Sequence, residues 1–349
     1  MRVRLMRLLR QRRLTAGTLL VALTVIVGSL ALAEVQRYAL APQRIDVAAT
    51  TIASFDEREP SSIRFGALEF RGGLALTSHA TAFGGISALH VEPDGSRFLA
   101  LTDRGSWLRG RIVYRDGHPT GIADPEMAPI LGADGKPLAA RGWFDSESLA
   151  ENNGMLYVGI ERVEKIVRFD YAHDGLAARG VPIPVPADFK TFKYNKSLEC
   201  LAMPGKDQPL AGTLIVVTER SLDANGNHRS FLLNGASVAR FSVKRSDEFD
   251  VSDCTVLPPV DLLLLERRYS PARGIAVRIR RIALRELKPG ALVDGRVLFE
   301  ADLGYQIDNM EGIAIHRNAH GETIITMVSD DNFSVLQRSL LLQFALVGE

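Results

Sequence analysis

Short apolar runs recur along the chain without helical spacing, and most are bounded by Gly, Pro, Asn or Asp. One kind of run opens on an acidic or small polar residue, passes through a small residue and then turns apolar. It reads Ser87-Ala88-Leu89, Glu147-Ser148-Leu149-Ala150, Glu199-Cys200-Leu201-Ala202, Asp253-Cys254-Thr255-Val256 and Glu311-Gly312-Ile313-Ala314. A second kind follows 13 to 20 residues later and ends on an acid, usually with arginine next. Its copies are Leu101-Thr102-Asp103-Arg104, Gly159-Ile160-Glu161-Arg162, Val217-Thr218-Glu219-Arg220, Leu264-Leu265-Glu266-Arg267 and Val328-Ser329-Asp330-Asp331. Between the two kinds, Glu92-Pro93-Asp94-Gly95, Glu151-Asn152-Asn153-Gly154 and Asn318-Ala319-His320-Gly321 carry the residues that tight hairpins need. Each unit therefore reads as strand, turn, strand.

The terminal acids of the second runs stand at 103, 161, 219, 266 and 330, at intervals of 58, 58, 47 and 64. Strand-rich units of that length predict the blades of an all-β propeller, in which circular stacking covers the apolar face that each unit exposes alone. Five units are visible. Pairing the end strand, 340–347, with 63–76 predicts a sixth blade that closes the ring. The expected organisation is a targeting segment over 1–33, a linker over 34–62 and the propeller over 63–349.

The targeting segment rests on charge. Residues 1–13 contain six arginines and no acid, 14–33 are uncharged, and Ala31-Leu32-Ala33 has the form of a signal-peptidase site. The uncharged stretch is also long enough to span a bilayer uncut. Cleaved signal peptide and N-terminal anchor both remain open, and either predicts a periplasmic or secreted domain whose only membrane contact is an uncleaved N-terminus. Apolar residues make up 46% of the chain, enough for a large core. Lys plus Arg is 42 against 41 for Asp plus Glu, so nothing in the balance favours a nucleic-acid partner. A monomer acting on a small ester or phosphate is the expectation.

In a propeller the first strand of every blade lines the central channel, so acids at the start of these strands meet on one rim. Like charges in a ring repel, and burial raises the cost, unless a cation or arginines compensate. Carboxylate oxygens without His or Cys suit calcium or magnesium better than zinc. Candidate metal ligands are Glu147, Glu199, Glu311, Asp253 and Asp330, with Asp103, Glu161, Glu219 and Glu266 beside them and calcium as the expected ion. The acid-arginine pairs of the second runs read equally well as salt bridges between blades. Lys196, Arg220, Arg162 and Arg104, together with Arg267, are candidate contacts for a substrate anion, whose oxygens match arginine's fork. No Gly-x-Ser-x-Gly elbow or P-loop occurs, and the seven histidines are scattered. Cys200 and Cys254 could pair or remain two buried thiols.

Several spaced strings carry a family resemblance: Phe83-Gly84-Gly85-Ile86-Ser87, Asp145-Ser146-Glu147-Ser148-Leu149-Ala150, Asn195-Lys196-Ser197-Leu198-Glu199, Asp308-Asn309-Met310-Glu311-Gly312-Ile313-Ala314 and Ser329-Asp330-Asp331-Asn332-Phe333-Ser334. In this order, from about residue 65 onward, the chain resembles the phytase-like domain of exported bacterial proteins, described as having esterase-like activity of phytase. The resemblance implies a β-propeller and a phosphoesterase or esterase activity, and it assigns no nucleophile or general acid. Ser148 and Cys200 stand where the family pattern looks like glycine. The functional expectation is a calcium-dependent hydrolase of phosphate or other esters. The alternatives are a non-catalytic propeller that binds a protein, glycan or small ligand, and a lactonase-type calcium propeller.

Overall fold

The computed structural model describes residues 40–192, 196–271 and 273–348. The expected signal or anchor, 1–33, lies outside the described residues. Among them no helix is long and apolar enough to cross a membrane.

Five antiparallel blades surround a channel. Blade one runs Ile86–Val91, Arg97–Thr102, Ser106–Arg115 and His118–Pro129 from the axis outward, with Gln43–Arg44 on its outer edge. Blade two contains Ser146–Asn152, Met155–Ile160, Lys165–Asp170 and Arg179–Pro182, and blade three Cys200–Ala202, Leu214–Leu222, His228–Asn234 and Ser237–Val243. Blade four consists of Asp250–Leu257, Asp261–Ser270, Gly274–Ala283 and Arg296–Asp302. Blade five starts with Asn309–Arg317 and Thr323–Asp330, and its inner strand returns beside that of blade one to close the ring.

The blade count differs from the expected six. The end strand, Ser339–Leu346, pairs directly with Thr323–Asp330 on one side and Leu68–Thr77 on the other. The two chain ends thus complete blade five, because among the described residues no further inner strand exists for them to pair with as a separate sheet. Part of the stretch expected as a linker is also structural: Ala48–Ile52 pairs with Leu68–Thr77 as the outer strand of this blade. Phe55, fully buried, packs edge-on to Phe65 and Phe344 and stacks with Tyr305 at 5.2 Å.

The apolar runs supply the faces between blades. Leu99, Leu101 and Trp107 of blade one meet Leu149, Val158 and Phe169 of blade two, with Trp107 edge-on to Phe169 at 5.3 Å. Leu263, Leu265 and Val277 of blade four face Ile313, Ile325 and Phe344 of blade five. Each buried Leu, Ile or Phe stabilises the stack by roughly 1.5–3 kcal/mol, and one blade alone would leave those faces in water.

Near the axis every junction also has its own polar, covalent or backbone clasp. Ser87 Oγ donates to the Ser146 carbonyl (2.5 Å) between blades one and two, and Ser148 Oγ donates to the Leu198 carbonyl (2.5 Å) between two and three. Cys200 and Cys254 form a disulfide between three and four. The two carboxylate oxygens of Asp253 accept the Cys254 and Ile313 amides, both at 2.7 Å, joining four to five. At the last junction Gly312 lets two backbones approach: a Cβ there would lie 3.1 Å from Leu89 N and 2.6 Å from a Val328 methyl. The backbone that approaches Gly312 is therefore that of the neighbouring blade. Ser148 and Cys200, the two departures from glycine, have become clasps of this set.

Replacing Cys200 and Cys254 together by alanine removes a crosslink between positions 54 residues apart. The chain-entropy argument gives a loss of roughly 2–4 kcal/mol of unfolding free energy, which urea denaturation with and without a reductant will read as a lowered midpoint.

Candidate active site

Strand register explains how acids reach the axis. In blade two Ser146 pairs with Ile160 and Ser148 with Gly159, leaving Glu147 as an extra residue on the inner strand. The same one-residue bulge falls on Ser87 in blade one, Ser252 in blade four and Glu311 in blade five. In blade three Cys200 pairs with Val217 while the Glu219 amide bonds to the Ser197 carbonyl, so Glu199 occupies the corresponding place. A bulged residue leaves the ladder and its side chain is re-aimed. Four bulges and the corresponding place in blade three thus hold two serines and three glutamates at one level of the five inner strands.

Glu147, Glu199 and Glu311 converge there, with one carboxylate oxygen from each lying within 4.8 Å of the others. All three are at most 8% exposed. Asn309 Nδ2 donates to Glu311 Oε1 (2.6 Å), and Arg267 Nη1 pairs with the same oxygen (2.9 Å). Glu199 Oε2 is buried and accepts no hydrogen bond. Burial, followed by the neighbouring carboxylates, pushes the Glu147 and Glu199 pKa values well above the ordinary range. Glu311 is also raised by burial, against the pull of Arg267.

A second ring lies beside the first, at the ends of the second strands. It contains Asp103, Glu161, Glu219, Arg267 and Asp330, each opposite the residue two places before a bulge. Burial raises Asp103 to about 6, Glu161 to about 7 and Asp330 to about 8, with nearby carboxylates adding to each. The cations of this ring are Arg267 and, reaching in from the loop before Glu199, Lys196. Lys196 Nζ sits 2.9 Å from Glu219 Oε2, and Arg267 Nη2 lies 3.7 Å from Glu219 Oε1. Arg267 Nε is buried without an acceptor. Burial disfavours the Arg267 charge, but Glu311, Glu219, Glu199 and Glu147 outweigh it and hold the guanidinium protonated.

Of the expected ligand set, Asp253 and Asp330 do not join the converging three. Matching Asp253-Cys254 to Glu199-Cys200 is one residue out of step, because the bulge of blade four falls on Ser252. Asp253 is turned into the blade junction, and Ser252 Oγ donates to the Met310 carbonyl (3.0 Å). The same shift removes Glu266 from the ring: its oxygens pair with buried Arg278 (2.8 Å) and Arg280 (2.5 Å) inside blade four. Asp330 belongs to the second ring and caps the Asn332 amide.

Of the expected anion contacts, Lys196 faces the carboxylates and three others are engaged elsewhere. Arg104 stacks over Phe333 at 3.2 Å, Arg162 pairs with Asp145, and Arg220 pairs with Asp250 at 2.5 Å. Arg267, which follows Glu266 in sequence, takes the position that acids hold in the other four blades. The missed signal was the serine two places after Asp250, which marks the bulge and so reassigns the whole blade.

The arrangement offers three hard oxygen donors, one of them lacking any donor of its own, next to two cations. A divalent oxygen-seeking cation fits the three glutamates, and the cations fit an anionic group beside it.

Solved structures match the chain at low identity. U3-55K matches with a TM-score of 0.41 and 11% identity, over 78% of this chain and 98% of that one. A thermostable family-43 glycoside hydrolase matches with a TM-score of 0.47 and 11% identity, over 77% and 91%. The glutaminyl cyclase of Myxococcus xanthus gives 0.39 and 11%, over 88% and 100%. No curated protein sequence shows significant similarity to the chain. The family described as "Phytase-like: Esterase-like activity of phytase" matches residues 81–333, a span containing every inner-strand bulge described above and both rings. The chain belongs to this phytase-like family.

Proposed function

We propose that the protein is a calcium-dependent hydrolase of anionic esters, phosphate esters foremost, acting outside the cytoplasmic membrane. The observation that carries the reading is the convergence of Glu147, Glu199 and Glu311 beside Lys196 and Arg267. Three buried carboxylates can be neutralised by protons or by a cation, and at neutral pH an oxygen-ligated divalent ion is the stronger partner. The Cys200–Cys254 disulfide supports an oxidising compartment.

When bound, calcium would polarise the ester oxygen and acidify a water molecule. The chain's own groups divide the remaining work. Arg267, protonated and with Nε lacking an acceptor, binds and orients the anionic group from one side. Lys196, about one-third exposed, meets it from solvent and offsets charge that builds on the leaving oxygen. Glu161 and Asp330, raised to about 7 and about 8, are placed to hold or give up a proton beside the ring near neutral pH.

Glu199→Gln should abolish the calcium-induced rise in unfolding temperature that the native protein shows; at a hundredfold excess over Kd that rise corresponds to about 2.7 kcal/mol. Asp253→Asn, which breaks a blade clasp, should keep the calcium response while lowering stability by roughly 1–3 kcal/mol. Differential scanning calorimetry with calcium or chelator reads both, and an undiminished response in Glu199→Gln overturns the assignment.

Lys196→Ala should raise KM for p-nitrophenyl phosphate about tenfold or more while changing turnover of the neutral p-nitrophenyl butyrate little, because the lost interaction is to charge. Steady-state kinetics on both substrates checks this. Equal losses on the two would show that Lys196 does not contact an anion.

In chelator, stability should depend on pH with a definite sign. The Asp103, Glu161 and Asp330 pKa values are raised above their unfolded values, so the folded state binds protons more tightly. Their stabilising effect is fully present below about pH 4 and is lost as pH rises through 6 to 8. Urea midpoints in chelator should fall across that window, by on the order of a few kcal/mol in total, and calcium should restore most at the alkaline end.

A further inference from the structure

The inner strand of each blade starts at the carboxylate end of the channel, and the antiparallel second strand ends there. Among the described residues, the four most exposed large apolar side chains all lie on loops at this end. Val335 is fully exposed, Leu336 89%, Tyr269 71% and Leu303 61%. Val335 and Leu336 stand in the blade-five loop between Asp330 and Ser339. Tyr269 belongs to the blade-four hairpin, opposite Ile275, and Leu303 directly follows Asp302, which pairs with Ala276 beside that hairpin.

These loops form one continuous band. A Cβ at Gly274 would fall 2.6 Å from Leu303 Cδ1, so Leu303 leans on the hairpin. Three residues on, Gln306 Oε1 accepts from Arg338 Nη1 (2.7 Å), and Arg338 closes the loop that carries Val335 and Leu336. Three arginines stand near the band, each paired with a carboxylate: Arg58 with Asp56 (3.0 Å), Arg273 with Glu248 (3.4 Å) and Arg338 with Asp308 (3.7 Å). The band is therefore apolar at its tips and balanced in charge.

The chain enters the propeller at the same end. Gln43 pairs with Met127 and Arg44 with Glu126, on a strand that runs on to Pro129, opposite Ser106 at the carboxylate end. The strand that opens at Gln43 thus leads away from that end. The uncharged stretch 14–33 stops ten residues before Gln43. Ten residues reach at most about 35 Å, so that stretch, spanning a bilayer uncut, holds this end of the propeller within that distance of the membrane.

We propose that the full-length chain, tethered by 14–33, docks the loops of blades four and five on a phospholipid bilayer. Val335 and Leu336 enter the acyl layer, Tyr269 and Leu303 lie at its boundary, and the carboxylate mouth opens beside the headgroups. Aliphatic side chains leave water for hydrocarbon, tyrosine favours the interface, and arginine stems lie along apolar surface with their heads in water. The tether keeps the loops at high effective concentration near the lipid, so a few apolar side chains suffice. Because each arginine already has a carboxylate, docking depends on apolar insertion and little on lipid charge. This adds a membrane contact made by the propeller itself, and it uses none of the ring residues.

The test reconstitutes the full chain in phosphatidylcholine vesicles with brominated acyl chains and reads tryptophan quenching, with the two native tryptophans as the baseline. Leu336→Trp should be quenched severalfold more than Val260→Trp, an exposed position in the turn at the opposite end of blade four. Tyr269→Trp, a conservative probe, should fall between them. In a Leu303→Trp chain, adding Val335→Asp and Leu336→Asp should bring quenching down to the Val260→Trp level. Replacing part of the lipid by phosphatidylglycerol should leave Leu336→Trp quenching unchanged. Equal quenching at 336 and 260, undiminished quenching in the aspartate variant, or a requirement for phosphatidylglycerol would each overturn the proposal. So would efficient disulfide crosslinking between copies of Leu336→Cys, which would assign the face to a second copy of the chain.

Discussion

Three carboxylates held within 4.8 Å of one another in a buried place set the terms for the rest of this molecule. Their mutual repulsion acts to push the inner strands apart, and burial makes each charge dearer still. The backbone resists letting a glutamate swing away, since Glu147 and Glu311 are the extra residues of bulges whose neighbours remain in register on both sides, and Glu199 directly precedes the paired strand Cys200–Ala202. The relief has to come from opposite charge or from protons. Arg267 bonds to Glu311 alone among the three, so the other two depend on what enters from the channel mouth.

That constraint accounts for how the blades are joined. Hydrophobic stacking resists separation over the breadth of each sheet but has no fixed direction. The contacts closest to the axis are directional and different at each junction: a serine hydroxyl, a second serine hydroxyl, a disulfide, a carboxylate on two amides and a glycine. Three of these involve the residue directly after a bulge, and a fourth, Cys200, follows Glu199 in the corresponding place. The strand positions that aim the glutamates also lock the strands against the force that the glutamates create, so site and scaffold cannot be varied independently here.

Much of this was legible in the chain. The alternation of apolar runs and turn signals identifies blades, and the recurring acid identifies which strand faces the axis. Glu147, Glu199 and Glu311 follow from that pattern because their blades keep the same offset between acid and apolar run. Blade four breaks it: Ser252-Asp253 puts an acid one place late, and a pattern that aligns acids with acids cannot see a bulge that falls on serine. The sixth blade was expected for a related reason. Strands 68–77 and 339–346 read as strands, but sequence does not say which sheet they join, and pairing between chain ends is fixed by tertiary closure rather than local preference. Arg267 was legible as a candidate anion contact, but its place among the ring acids depends on that same register.

Blade five is assembled from both ends of the chain, with 48–52 and 68–77 pairing beside 339–346. Bringing segments about 260 residues apart into one sheet carries a closure entropy of roughly 5 kcal/mol, which local contacts cannot repay in advance. The ring therefore has a seam, whose contacts are the most distant in sequence and the costliest in closure entropy. Until the last strand is available, 68–77 has no partner on that side and blade five lacks its outer half. Such an order couples completion of the closing blade to the presence of the whole polypeptide.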